Sequence, residues 1–571
     1  MSQSSRSCWA PHCALAALLV LCLVPAGGGG ESAPKANEVR ITLLATTDVH
    51  GNVWPHDYLF ARPADRGLAK VSTYVKSVRE QQPNTLLLDS GDTFQGTPLA
   101  YRAAAKYPEE MNPVVAAMNA MRYDAMAVGN HEWNFGLHAL WRFKEQAQFP
   151  ILGANIVSTY HDHLRDFEPY VIREVGGVRI AILGMVTPSI PRWDPPEHRT
   201  GYEFRELVAT AKQYVPKLRR KADVVILLVH SGLGRDPVTG AVEESSYPEE
   251  DRVWDLAEQV PGVDVIIFGH SHRELPGRMV NGVLLVQPKN WAQSVAEVDL
   301  RLVRKGKKWE LKDKQSRLVP MDAGIQPDEA ILEITRAAHE RTEQYLNTVV
   351  AKVDKDLSGR TGRLEDNALV ELINRAQMHY GKADVSLATL FTPSAFMREG
   401  PVTIRDLYRL YLYENKLVTI EVTGAQLKEA LEHAARMLPA FPLAAGAAPS
   451  LPGYTFDMAE GVGYQIDLRR ALGERVVNLT FEGKPLDPAR KLRLAFNSYR
   501  WSGGGSYNML RHGKVVHKVD EQVRELVIQY VQERGQVETK VDHNWEIIPD
   551  QARQALIQFA TQPRPPAAGA N

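Results

Sequence analysis

Short apolar runs, several rich in Val and Ile, recur at 39–45, 85–88, 123–128, 224–229 and 263–268, each bounded by Gly or turn residues. Runs of this length and composition predict buried strands. Between them, around 68–79 and 114–121, apolar residues fall at helical spacing. Strands alternating with helices predict an α/β fold with a largely parallel sheet. After 320 comes a turn with Gly324 and Pro327, then a helical stretch over 328–350 for which Asp328 is a natural cap. Helix and strand then alternate again at 367–380, 383–388, 417–422 and 424–437, and an Ala- and Pro-rich loop follows over 438–452. The pattern divides the chain into a first domain at 39–320, a linking helix at 325–350, a second domain at 351–549 and a tail at 550–571 that opens with a short helix. No internal repeat is present.

Metal-ligand residue types stand where the first-domain strands end. They are Asp48-Val49-His50, Gly91-Asp92, Gly129-Asn130-His131-Glu132, His230 and Gly269-His270-Ser271-His272. Singly, each has an ordinary reading: a turn, a satisfied core histidine, or an asparagine opening a helix. As an ordered set placed after strands they are specific. Ligands of open α/β sheets gather at the carboxyl ends of the strands, so loops far apart in sequence can meet there. Asp48, His50, Asp92, Asn130, His230, His270 and His272 offer carboxylate, imidazole and amide donors. These suit Mn, Zn, Fe or Co without choosing among them. With one ligand shared they suffice for two metal ions, the usual apparatus for displacement at phosphorus.

At 571 residues the chain exceeds one domain, and its net charge of −1 gives no electrostatic footprint for polymeric nucleic acid. Small anions can still be held locally. At the N-terminus Arg6 precedes an apolar core over 14–24, too short for a comfortable membrane span, and Val24-Pro25-Ala26 supplies a cleavage pattern. Residues 1–26 are therefore expected to be a signal peptide, with export to the periplasm or beyond and no stable membrane span afterwards. An uncleaved anchor is the alternative. Cys8, Cys13 and Cys22 all lie in this segment, so a chain cleaved after Ala26 has no thiol to misoxidise in an oxidising compartment.

In order and spacing the motifs resemble the calcineurin-like metallophosphoesterases, and within them the two-domain 5'-nucleotidases, over nearly all of the chain beyond the signal segment. The resemblance implies a four-layer α/β/β/α domain joined by a helix to a C-terminal α/β nucleotide-binding domain. It implies that Asp48, His50, Asp92 and His272 hold one divalent metal ion and Asp92, Asn130, His230 and His270 the other. His131 would stabilise or protonate the leaving oxygen, a task suited to a pKa near the working pH. Gly461-Val462-Gly463-Tyr464-Gln465-Ile466-Asp467 and the stretch from Asn478-Leu479-Thr480-Phe481 to Pro485-Leu486-Asp487-Pro488 look very like this group's nucleotide-binding domain. By that likeness Tyr454 and Tyr499 sandwich the base, with stacking of roughly 1–3 kcal/mol. Arg500 and Tyr507 are further substrate candidates. From the residues alone, the aromatics beside Gly503-Gly504-Gly505 read equally as core.

Three positions depart from the 5'-nucleotidases. Their phosphate-binding arginine stretch is Leu390-Phe391-Thr392-Pro393-Ser394-Ala395-Phe396 here, their base-contacting aspartate is Gly505, and the aspartate that partners the catalytic histidine is Asn134. All three resemble the periplasmic 2',3'-cyclic-nucleotide 2'-phosphodiesterase/3'-nucleotidases, as do Trp291 and the run from Asp406-Leu407-Tyr408 to Glu414-Asn415. A phosphate with fewer free oxygens needs no arginine, and losing the acid beside His131 predicts a less basic imidazole. The expected activity is therefore opening of 2',3'-cyclic nucleotides and removal of 3'-phosphate, with a small nucleotide as the partner. Alternatives are a 5'-nucleotidase or UDP-sugar hydrolase on the same scaffold, a thiol-linked sulfate hydrolase, and a non-catalytic nucleotide-binding surface protein. Base preference and oligomeric state have no signature in the sequence.

Overall fold

The structure, a computed structural model, describes residues 37–243, 247–443 and 453–561. The expected signal segment 1–26, much of the loop 438–452 and the end of the tail lie outside the described residues.

Two six-stranded sheets build the N-terminal domain. In spatial order the first is Lys308–Pro320, Ser294–Lys305, Glu38–Thr46, Thr85–Asp89, Ala125–Ala127 and Ile151–Leu152. The second is Leu275–Val280, Val283–Gln287, Val265–Phe268, Val224–His230, Val178–Val186 and Tyr170–Val175. Four neighbouring strands in each are parallel. The sheets pack face to face through Ile41, Leu43, Leu86 and Leu88 on one side and Ile180, Ile226, Leu228 and Ile267 on the other. The helices Leu68–Gln81 and Pro113–Met121 cover the outer face of the first sheet, and Leu207–Lys221 and Val253–Gln259 that of the second. Strands covered on both faces read as continuous apolar runs, and every residue of Val224–His230 is buried.

This corrects the single, largely parallel sheet that periodicity predicts, and agrees with the four layers implied by the resemblance. Strand–helix alternation dictates the type of connection but not which sheet a strand joins. The strands that carry the candidate ligands divide between the two sheets. The long hairpin Ser294–Lys305/Lys308–Pro320 then pairs antiparallel along Glu38–Thr46 and closes its edge.

The linking helix runs Glu329–Leu346, with the Asp328 side chain accepting from the Ala330 N–H at 3.1 Å. It stops short of 350 because Val349–Val353 leaves to pair with Gly400–Thr403. The helix is anchored at both ends. Ser72 Oγ donates to Asp328 (2.6 Å) and Trp54 Nε1 to Thr335 (2.8 Å), while Arg405 of the second domain reaches Glu343 (3.0 Å).

The C-terminal domain carries a five-stranded sheet, in order Met458–Glu460, Val385–Ala388, Lys491–Asn497, Lys416–Thr423 and Val515–Gln522, and a four-stranded sheet containing Gly463–Asp467 and Trp545–Ile548. Asn367 caps the helix Ala368–Gly381, and a Thr423/Gln426 capping box opens Gly424–Ala435. Loops of this domain face the strand ends of the first across a cleft. No helix among the described residues is long and apolar enough to cross a membrane.

Candidate metal centre and substrate cleft

The five ligand loops meet. Ligand atoms of Asp48, His50 and His272 lie within 4.8 Å of one another, as do those of Asp92, His230 and His270. The loops are knitted by backbone bonds, Asp48 N–H to Gly91 O and His50 N–H to Asp92 O, both at 2.9 Å. Asp48, His50, Asp92, His270 and His272 all have left-handed φ, between +48° and +73°. For residues with a Cβ this costs on the order of 1–3 kcal/mol each and persists only where surroundings over-determine it. Glycines supply the close approach: a Cβ on Gly129 would lie 2.3 Å from Asp92 Oδ1, and one on Gly269 would lie 1.9 Å from Thr47 Oγ1.

Outer partners dictate which imidazole nitrogen is offered. His50 Nδ1 faces Gln95 O at 3.0 Å and His230 Nδ1 faces Ser90 O at 2.8 Å, which leaves each Nε2 toward the centre. His270 is the reverse, its Nε2 held by Glu250 Oε1 at 2.8 Å. The buried Glu132 carboxylate accepts the N–H groups of Asp92, Thr93, Phe94 and Gly129, and so shapes the Asp92 loop.

The field of the centre favours positive charge. Burial alone would raise Asp92, but the surrounding histidines, His230 first, hold it well below the usual carboxylate range. Burial alone would lower His230; Asp92 reverses this and pushes it to about 10. His50 is driven to about 4, chiefly by burial.

His131 stands beside this centre, its Nε2 3.9 Å from Asp92 Oδ2 and its Nδ1 2.5 Å from Asn134 Oδ1. Asn134 Nδ2 donates in turn to Asp194 Oδ1 at 2.9 Å. Burial pulls His131 down, but Asp92, the Asn134 bond and the Asp194 charge outweigh it and hold the ring above its ordinary value.

A cleft of about 580 Å³ opens over His131 and Asn130 and is walled on the far side by the second domain. Tyr454 and Tyr499 line it, together with Phe391 and Tyr413. Arg500 does not, which corrects its expected contact with substrate. It is 1% exposed, and its guanidinium is held by Asp457 (2.7 and 2.8 Å), Gly504 O and Tyr454 O. It braces the two tyrosine loops from beneath. Tyr507 is likewise fully buried, donating to Thr455 O.

Residues 41–274 match the calcineurin-like phosphoesterase family, and 349–512 match the 5'-nucleotidase C-terminal domain. A 2',3'-cyclic-nucleotide 2'-phosphodiesterase/3'-nucleotidase of Haemophilus influenzae is 31% identical, covering 93% of this chain and 91% of its own length. The chain belongs to the calcineurin-like phosphoesterases with a 5'-nucleotidase C-terminal domain. The trifunctional nucleotide phosphoesterase YfkN of Bacillus subtilis is 29% identical over 90% of this chain, which spans 39% of that longer protein. Among solved structures, a candidate 5'-nucleotidase of Staphylococcus aureus crystallised with α-ketoglutarate superposes with a TM-score of 0.77 at 25% identity, covering 89% of this chain and 100% of the other.

Calcineurin-like phosphoesterases are hydrolases of phosphoester bonds that use divalent metals, and the residues of this phosphoesterase fit such ions. Asn130 Oδ1 is buried with no hydrogen-bond partner. His230 Nε2 lies 2.9 Å from Asp92 Oδ2 without an aligned hydrogen bond. Both atoms are donors of the kind a divalent cation accepts. Among the described residues that line the cleft, five carboxylates (Asp194, Glu243, Glu250, Asp251 and Glu414) stand with two cationic side chains, Arg273 and Lys416, so added cations would favour an anionic substrate there.

Sequence reasoning missed Glu132, Asp194 and Glu250 as parts of this site. Glu132 was legible as the last residue of its motif. Asp194 stands alone in a Pro-rich loop, and Glu250 lies in an acidic run that reads as solvated surface.

Proposed function

We propose that this phosphoesterase opens 2',3'-cyclic nucleotides and removes the phosphate from 3'-nucleotides. Asp48, His50, Asp92 and His272 would hold one divalent ion, and Asp92, Asn130, His230 and His270 a second. Two bound ions supply charge for the phosphoryl oxygens and a water of lowered pKa. The chain's own residues do the rest. Tyr454 and Tyr499 take the base between them. His131 meets the leaving sugar oxygen with Nε2 while Nδ1 stays on Asn134. The cleft between the domains orients the phosphoryl group.

The observation carrying the substrate choice is the loop Leu390 to Phe396. Arg363 donates to the carbonyls of Leu390 and Phe391, so the loop turns Phe391, not a cation, to the cleft. A singly charged cyclic phosphodiester suits that wall better than a dianionic monoester, and the 3'-phosphate part of the proposal rests instead on the likeness to the 2',3'-cyclic-nucleotide 2'-phosphodiesterase/3'-nucleotidase of Haemophilus influenzae. Residues 1–26 support action outside the cytoplasm, and N-terminal sequencing of protein recovered from the cell envelope tests that point. The substrate test is kcat/KM of the metal-loaded enzyme on 2',3'-cyclic AMP, 3'-AMP and 5'-AMP. The expected order is cyclic and 3' above 5'; a preference for 5'-AMP makes the chain a 5'-nucleotidase instead.

A further inference from the structure

His131 is aimed by two successive hydrogen bonds that end in a different loop. Nδ1 meets Asn134 Oδ1 at 2.5 Å, and Asn134 Nδ2 donates to Asp194 Oδ1 at 2.9 Å. Asp194 follows the one-turn helix Ile190–Arg192, donates its own N–H to Ile190 O at 3.0 Å, and is 3% exposed. Its second oxygen is buried without a hydrogen bond, and His198 Nδ1 stands 3.7 Å from the first. The carboxylate thus has one donor to hold, and that donor is the amide behind the histidine.

We propose that Asp194 is a positioning residue for His131. It works through the one ambiguity an amide has: a half-turn exchanges its oxygen and its nitrogen with little change of shape. As observed, the oxygen accepts from His131 Nδ1–H and the NH₂ donates to Asp194. Flipped, the oxygen would face a carboxylate and the NH₂ would face Nδ1, forcing the other tautomer. A fixed carboxylate acceptor forbids the flip. Asp194 therefore keeps the proton on Nδ1 and turns Nε2 to the cleft. The amide replaces the direct histidine–aspartate pair, and a residue from another loop restores the acid behind it.

The inference rests on reading His131 as the group that meets the leaving oxygen. In that step a water that has first lost one proton to solvent forms, as hydroxide, the new bond to phosphorus, and the bond to the sugar oxygen breaks. The sugar oxygen takes the Nε2 proton of the imidazolium, and the neutral ring keeps its proton on Nδ1. A wrong tautomer costs up to about 10⁴-fold in a Ser-His-Asp enzyme, and loss of an outer partner about 10- to 100-fold.

Two arms test it on the full-length, metal-loaded enzyme. In the first, Asp194→Leu is compared with wild type by imidazole ¹⁵N NMR, metal content and kinetics. Expected are a mixed tautomer at His131, unchanged metal, a kcat lower by about 10- to 100-fold and a KM within threefold. In the second, Asn134→Asp alone sets two carboxylates against each other and loses activity. Adding Asp194→Asn recovers it, because the new carboxylate then accepts from both His131 and the new amide. An unchanged tautomer in Asp194→Leu, or Asn134→Asp alone as active as the double variant, overturns the proposal. His131→Ala separates the premises: if it leaves kcat unchanged, the reading of His131 falls, while the NMR result still judges what Asp194 does to the tautomer.

Discussion

The carboxylate of Glu132 accepts the backbone N–H of Asp92 at 2.9 Å, and the same oxygen accepts the Gly129 N–H at 2.6 Å. One side chain, fully buried, therefore ties together two ligand loops that end neighbouring strands. It is not among the proposed ligands, yet it holds the N–H of Asp92, whose backbone is left-handed, and is expected to fix that conformation. Glu132→Gln replaces an acceptor oxygen with a donor that faces N–H groups. Metal affinity, read by titration of the apo-protein, should weaken about 10- to 100-fold, with all the proposed ligands intact. Unaltered affinity would show that the loop holds its shape unaided.

The way these loops meet explains what was legible in the sequence. Asp48, Asp92, Asn130, His230 and the His270–His272 pair could be read because each ends a buried strand, and a strand followed by a polar turn leaves a clear pattern. The parallel order of the strands likewise follows from apolar runs too continuous for a sheet with one wet face. The division into two sheets was not legible, since Ile41 and Ile226 face each other across the core and residues of either sheet look alike. Glu250 and Asp194 were invisible for a different reason. Each matters through one partner far away in sequence, His270 or Asn134, and no local spacing encodes that. Arg500 was misread because an arginine beside aromatics suggests a ligand contact, whereas Asp457 pairs with it in the interior.

Asp92 is the proposed ligand that a single substitution tests most directly. Its Oδ1 accepts from the His131 N–H at 2.7 Å, and its Oδ2 lies 2.9 Å from His230 Nε2. Asp92→Asn preserves shape but removes the charge that both ligand groups would share. Bound metal measured by mass spectrometry should fall below that of the wild type, and turnover should drop to background. Retention of both ions with full activity would exclude a shared ligand.

Tyr499 distinguishes a nucleotide enzyme from one acting on other esters. A Cβ on Gly504 would come within 2.4 Å of its ring, so the glycine backs the ring closely. Tyr499→Ala should raise KM for nucleotides about 5- to 150-fold, the equivalent of roughly 1–3 kcal/mol of lost stacking. Turnover at saturation should change little, because the ring would touch the base and not the reacting phosphorus. A base-free cyclic phosphodiester should be hydrolysed as by the wild type. Equal loss on both substrates, together with a lowered Tm, would make Tyr499 a packing residue.

Outside the lining of the cleft, Asp366, Glu371 and Asp542 bring carboxylate oxygens within 4.8 Å of one another, and Glu460 joins them with Arg375 as an opposing charge. Burial, and then repulsion from Asp542 and Glu371, pushes Glu460 up to about 8 from 4.5. Between those values the unfolded chain has released a proton that the folded protein still holds. Stability conferred by this group therefore falls as pH rises through that window. Below about 4.5 both states are protonated and the pH dependence vanishes. Glu460→Gln removes the titrating proton while keeping nearly the same shape. Its thermal stability should exceed that of the wild type at pH 8.5, by a margin in the ~0.5–2 kcal/mol range of single stabilising substitutions. The two curves should converge as pH approaches 5. Melting curves that run parallel across the whole range would mean that Glu460 is ionised in the folded protein, with Arg375 neutralising the cluster.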